Sequence, residues 1–209
     1  MRRKLYAALI VLAAAGMTTA CGTSFEADES TVYITKDGNV IGADIEDFNK
    51  DYYDEEELKA YITESIENYV ESNGDGSLEL QKFQTESSKE DGVTAQLYLN
   101  YATYIDYALF NEIQMFAGTV SDAQQEGYAF DQEFQKVEEG SAAGSMDIKE
   151  LLEDEKMKVV IIGDETVVRV DGEIQCISIG NAEAAGEHTV RVHYDMEDEK
   201  AQPAYILYK

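Results

Sequence analysis

Lys158-Val-Val-Ile-Ile-Gly-Asp-Glu-Thr-Val-Val-Arg-Val-Asp-Gly-Glu-Ile-Gln-Cys-Ile-Ser-Ile179 is the stretch whose reading decides the fold. Val159–Ile162 is an unbroken apolar, β-branched run of strand length, suited to a central strand. Gly163-Asp164 and Asp171-Gly172 are turn signals, and Asp-Gly fits the tight primed turns that match strand twist. Thr189-Val-Arg-Val-His-Tyr194 and Ala204-Tyr-Ile-Leu-Tyr208 repeat the strand composition further on. Together these segments predict a C-terminal antiparallel β-meander.

Reading back toward the N-terminus, Asp147 and Glu150 frame a short helix, and Gly140-Ser-Ala-Ala-Gly-Ser145 reads as a flexible loop or sub-domain boundary. Val93, Ala95, Leu97, Leu99 and Tyr101 alternate onto one face of a strand. Thr103 with Asp106, and Ser121 up to Gly127, mark two helices. The clearest helix starts at Asp54, with Glu57 completing a capping pattern. Its apolar face is Leu58, Ile62, Ile66, Tyr69 and Val70, and Asn73-Gly74 stops it. Asp37-Gly38 turns Thr31–Thr35 into Val40-Ile41 as a hairpin. Helices early and hairpins late predict an α+β fold: N-terminal helices and short strands over residues 31–140, then the antiparallel meander over 141–209, packed as one domain.

The first 30 residues read differently. Arg2-Arg3-Lys4, the apolar run Leu5–Met17 and the small residues Thr18-Thr19-Ala20 have the layout of an export leader over residues 1–20. Cys21 follows directly, the position at which bacterial lipoprotein leaders are cut and the sulfur acylated. The apolar run is shorter than the roughly 20 residues a bilayer requires. Residues 21–30 read as a flexible tether. The expected address is the cell membrane, lipid-anchored on its extracytoplasmic face, with Cys21 as the lipidation site.

Charge narrows the partners. The chain carries a net charge of −27, and losing the leader's three cations takes it to −30. Nucleic-acid binding rests on Lys and Arg neutralising phosphates, so nucleic acid is not an expected partner. The membrane, through lipid on Cys21, and an unidentified protein or small-molecule ligand are the expected ones. With Cys21 acylated, Cys176 is the one remaining thiol; its strand-like neighbours Ile174, Ile177 and Ile179 mark it as a buried, inert cysteine. His188 and His193, five apart, point to opposite faces of a strand.

Metal and catalytic patterns are thin. Asp47, Asn49, Asp51 and Glu55 occupy the first, third, fifth and ninth places of a calcium-loop spacing, which makes them weak metal candidates. Tyr52 stands where the loop needs Gly, and Leu58 where it needs a bidentate Glu. Helix capping explains the same acids more simply. No zinc-protease, serine-hydrolase or phosphate-loop motif occurs, so no catalytic residue is assigned and no cofactor is expected beyond that possible calcium. Paired carboxylates of a secreted hydrolase are the alternative from another class.

Glu46-Asp47-Phe48 with Asp51-Tyr52-Tyr53 resembles part of an uncharacterised family of clostridial-type lipoproteins. Asp106-Tyr107, Phe110-Asn111, Phe116, Gly118-Thr119-Val120, Ala123 and Gly127-Tyr128 are similar to a second block of that family. The resemblance covers roughly residues 21–130, implies a Gram-positive surface lipoprotein, and brings no activity with it. Asn111, Thr119 and Tyr128, in a stretch mixing Gly, Thr and aromatics, are the weak ligand-binding candidates. The expectation is a non-enzymatic, lipid-anchored binding or envelope-associated module.

Overall fold

The computed structural model describes residues 25–50, 52–88, 92–198 and 200–209. The leader, Cys21 and Asp51 therefore lie outside the described residues. The chain runs β1 (Thr31–Ile34), β2 (Val40–Asp47), α1 (Glu55–Asn73), β3 (Leu78–Ser88), β4 (Gly92–Tyr101), α2 (Tyr104–Asn111), β5 (Gln114–Thr119) and α3 (Val120–Gln125). It continues through β6 (Phe134–Glu138), β7 (Ser141–Met146), α4 (Lys149–Leu152), β8 (Lys158–Gly163), β9 (Val167–Val170), β10 (Ile174–Ser178), β11 (Ala182–Ala184), β12 (Thr189–Val192) and β13 (Ala204–Tyr208).

Two sheets form, giving an α+β protein with an antiparallel sheet at its C-terminal side. The first has the order β11-β12-β9-β1-β2-β4-β3 and the second β5-β8-β13-β10-β6-β7. Val160, Ile162 and Ile206 of the second sheet share a buried cluster with Val32, Val40, Leu99 and Val168 of the first. The alternate residues Val159, Ile161 and Leu207 form a second cluster with Val120 and Ala123 of α3 and Ile148 beside α4. The second sheet is thus covered on both faces, which is why β8 reads as a continuous apolar run. Each Val or Ile buried this way contributes about 1.5–3 kcal/mol.

The expected antiparallel sheet is present, but its neighbours are not successive in the chain. β8, β10 and β13 lie in the second sheet, while β9, β11 and β12 lie in the first. The turns at Gly163-Asp164 and Asp171-Gly172 therefore carry the chain between sheets. A turn signal shows that the chain reverses, not which strand it then pairs with. Gly172 is needed for another reason: a Cβ there would lie 2.6 Å from the Lys209 carbonyl oxygen. Its absence lets Glu173 and Lys209 exchange backbone hydrogen bonds of 2.9 and 3.0 Å. β1 also runs parallel to β9, a pairing that local turn chemistry does not signal.

Two further expectations change. Gly140–Ser145, read as a loop, is largely the edge strand β7, paired antiparallel with β6. Gly140, at φ +74°, lies so close to the Gly186 backbone that a Cβ would meet it at 2.7 Å. The described end of the expected tether is also held in place. Phe25 packs on Tyr33 and Tyr98, the Ala27 N–H donates to Tyr98 Oη at 3.1 Å, and Arg191 donates two 2.7 Å hydrogen bonds to Glu29. An aromatic side chain and a bidentate ion pair fix this segment against the outer face of the first sheet.

The helices follow the local signals more closely. Asp54 caps α1 by accepting from the Glu56 and Glu57 N–H groups at 2.9 and 3.0 Å. Thr103 and Thr119 cap α2 and α3 through the N–H groups of Asp106 and Asp122. The hairpin at Asp37-Gly38 joins β1 to β2, with Gly38 at φ +91°.

Candidate functional site

One face of the first sheet passes from packed core into an open groove along β2 and β4. On β2, Val40, Gly42, Asp44 and Glu46 share one face by strand alternation, opposite Tyr101, Leu99, Leu97 and Ala95 of β4. At Val40 and Gly42 that face is packed: a Cβ on Gly42 would sit 3.2 and 3.3 Å from the Tyr107 and Tyr101 rings. At Asp44 and Glu46 the face opens into a groove of about 640 Å³, walled on the other side by the first turns of α1. This volume falls within the range of small-molecule sites.

The groove has an apolar floor and an acidic, aromatic rim. Phe83, Ala95 and Leu97 of the sheet meet Leu58 and Ile62 of α1 at its base. The connection from β2 to α1 forms one rim, with Phe48 and Tyr53 stacked at 4.9 Å and Tyr52 edge-on to Tyr53 at 5.0 Å. Tyr52, Tyr61 and Tyr53 are 77%, 69% and 42% exposed, unusual for such large rings, and all three line this groove. Five carboxylates, Asp44, Glu46, Asp47, Asp54 and Glu57, line it as well, with no Lys, Arg or His among the described lining residues.

The rim is anchored from below. Phe48 N–H donates to the Val93 carbonyl at 2.8 Å, and Asn49 Oδ1 accepts from the Val93 N–H at 2.6 Å. Gly92, at φ +80°, makes this possible, because a Cβ there would fall 2.2 Å from Asn49 Oδ1.

Asp44 is electrostatically unusual. It still reaches solvent, but it sits in the concave inner end of the groove, where surrounding protein displaces much of its water. That loss of hydration, followed by repulsion from Glu46 and then Asp164, pushes its carboxyl up to about 6 from an ordinary 3.8. Tyr107 on α2 and Tyr101 on β4 lie behind it, their phenols held in the neutral form mainly by burial and also by the field of Asp44. Asp44, Glu46 and Glu57 have no hydrogen-bond or ion-pair partner among the described residues.

The residues singled out from the sequence lie elsewhere or have local duties. Asp47 lines the groove mouth, but its Oδ1 accepts from the Asn49 N–H at 2.8 Å. Glu55 accepts from the Thr85 hydroxyl at 2.7 Å. Among the described residues no three acidic, His or Cys side chains gather as metal ligands. Asn111 donates to the Tyr107 carbonyl at 2.9 Å and to Tyr101 Oη at 3.3 Å. Thr119 caps α3, and Tyr128 packs on Phe116 at 5.3 Å between ring centres. None of these three is in the groove. Cys176 is buried, and burial pushes its thiol up to about 12. His188 contacts the Gly172 carbonyl and His193 approaches Glu183, so the two do not converge.

Asp44, Glu46 and the Phe48–Tyr53 stack are the groove residues that sequence reasoning does not assign. One signal is available. Strand alternation along β2 places Asp44 and Glu46 on the same face as buried Val40, and a core face that turns acidic marks the point where packing ends.

No protein family, curated protein or solved structure matches the chain.

Proposed function

We propose that this protein is a non-enzymatic binding module of the cell envelope, held at the outer face of the membrane by lipid on Cys21. The observation that carries the binding role is the groove between α1 and β2–β4, which keeps three large tyrosines exposed to solvent beside an apolar floor. The leader preceding Cys21, together with the resemblance to clostridial-type surface lipoproteins, supports the address. Among the described residues no helix is long and apolar enough to cross a membrane.

Cell fractionation tests the address. Cys21→Ala moves the protein from membrane to medium, and unchanged membrane retention overturns the anchor. Fragment screening by NMR tests the groove. Hits shift the signals of Tyr53 and Leu97 and are lost on Tyr61→Ala; hits that ignore this variant place binding elsewhere.

A hydrolase is the second reading, and one observation favours it. Asp44, with its raised carboxyl, is two residues from Glu46 on the same strand face, a separation of about 7 Å. A desolvated acid beside a second carboxyl group at that spacing is the arrangement glycoside hydrolysis uses. Turnover of aryl glycosides that is abolished by both Asp44→Asn and Glu46→Gln would replace the binding reading with this one.

A further inference from the structure

Resting on the groove being a ligand site, we propose that its ligand is a small organic cation, an ammonium group carried on an apolar or aromatic body. Three separate features of the groove select this chemistry. The first is charge: five carboxylates line it and no described cation does. Two of the five are occupied locally, Asp54 by capping α1 and Asp47 by the Asn49 N–H. Asp44, Glu46 and Glu57 remain without a partner, and the first two repel each other. A cation entering between them relieves that repulsion, whereas an anion adds to it.

The second feature is the aromatic rim. Phe48 and Tyr53 are stacked with an interplanar angle of 20°, and Tyr52 and Tyr61 stand largely in solvent. Ring faces attract cations through their quadrupole, and quaternary or protonated amines are held this way in aromatic cages. The third feature is the floor. Phe83, Leu97 and Ile62 offer apolar surface that a bare metal ion would not use, while an organic cation buries its carbon body there. The cavity of about 640 Å³ suits a molecule of small-ligand size. Carboxylates at the mouth also raise the local concentration of cations and steer their approach.

Titration of the full chain with three probes of similar size tests this: benzyltrimethylammonium, benzyl alcohol and phenylacetate. Benzyltrimethylammonium binds in the millimolar range or tighter, weakens as salt is raised, and shifts the NMR signals of Tyr53, Tyr61 and Leu97. Phenylacetate does not bind. Tyr53→Ala weakens the cation about three- to tenfold, and Glu57→Gln, on an exposed helical turn where folding is not at stake, weakens it about two- to fivefold. Equal binding of the neutral or anionic probe in the groove overturns the cation assignment while leaving the groove a ligand site. No groove shift with any probe overturns both readings.

Discussion

Leu97 and Leu99 stand two positions apart on the same face of β4, yet Leu99 lies inside the core and Leu97 at its border with the groove. Leu99 is 1% exposed and packs with Val40, Tyr101 and the second sheet. Leu97 packs against the edge of that cluster and lies on the groove floor with Ala95 and Phe83. β2 divides at the same level, with Val40 buried, Gly42 under the Tyr101 and Tyr107 rings, and Asp44 and Glu46 lining the groove. α1 divides too: Ile66, Tyr69 and Val70 pack against the core, while Leu58 and Ile62 face the cavity. β4 and α1 thus pass from core to groove without a break in apolar periodicity, while β2 turns acidic at Asp44. The change comes from what covers the face: at Gly42 the Tyr101 and Tyr107 rings lie over it, and at Asp44 and Glu46 it opens toward the first turns of α1.

This division can be broken most sharply at the two leucines. Leu99→Ala lowers unfolding free energy by about 2–5 kcal/mol in urea denaturation. Leu97→Ala, at a partly buried side chain on the groove side, lowers it by about 1–2 kcal/mol. Equal losses would mean that the groove is packed like the core. Gly42→Ala comes next: its new methyl presses on two rings at 3.2 and 3.3 Å, at about 1–3 kcal/mol of stability, measured the same way. No loss there would show that the Tyr101 and Tyr107 rings are free to move.

A smaller effect sharpens the comparison through pH. The folded-state carboxyl of Asp44 lies at about 6, above its ordinary 3.8, so the folded protein holds this proton more tightly than the unfolded one. The stabilisation from protonated Asp44 is present below about pH 4 and is lost as pH rises through 6. Asp44→Asn therefore matches the parent near pH 4 and melts higher than it at pH 7.5. A lower melting temperature at pH 7.5 would show that the ionised carboxylate is stabilised by a partner. The smallest effect concerns calcium. Replacing chelator with millimolar calcium shifts the melting temperature by less than about 2 °C, below about 1 kcal/mol. A larger rise would put the ion on the Asp47–Glu55 stretch.

What is legible in the sequence is local. Asp54 and Thr103 cap helices because a cap needs only the two or three residues that follow it, whereas the third helix is capped by Thr119, two residues ahead of the expected start at Ser121. The Asp37-Gly38 hairpin and the strand character of Val159–Ile162 are of the same kind. Sheet membership is not legible, because Asp171-Gly172 looks the same whether the next strand pairs beside the last or crosses to the opposite layer. The small residues of β7 carry no apolar alternation, and their strand is defined only by the edge of β6. Asn111, Thr119 and Tyr128 stand out by their chemistry, but neighbours within 20 residues absorb each of them. Asp44 does not stand out, because an acid on a short strand reads as surface until the layer above it is known.

β13, formed by residues 204–208, lies between β8 and β10 in the middle of its sheet. A chain that emerges N-terminus first from a ribosome or a translocation pore delivers β1 early and this strand late. In the folded sheet it is the strand that joins β5-β8 to β10-β6-β7, pairing antiparallel with both β8 and β10. Its alternate side chains face opposite ways, Ile206 into the cluster between the sheets and Leu207 into the one beneath α3, so this single five-residue strand ties the two halves of the core together.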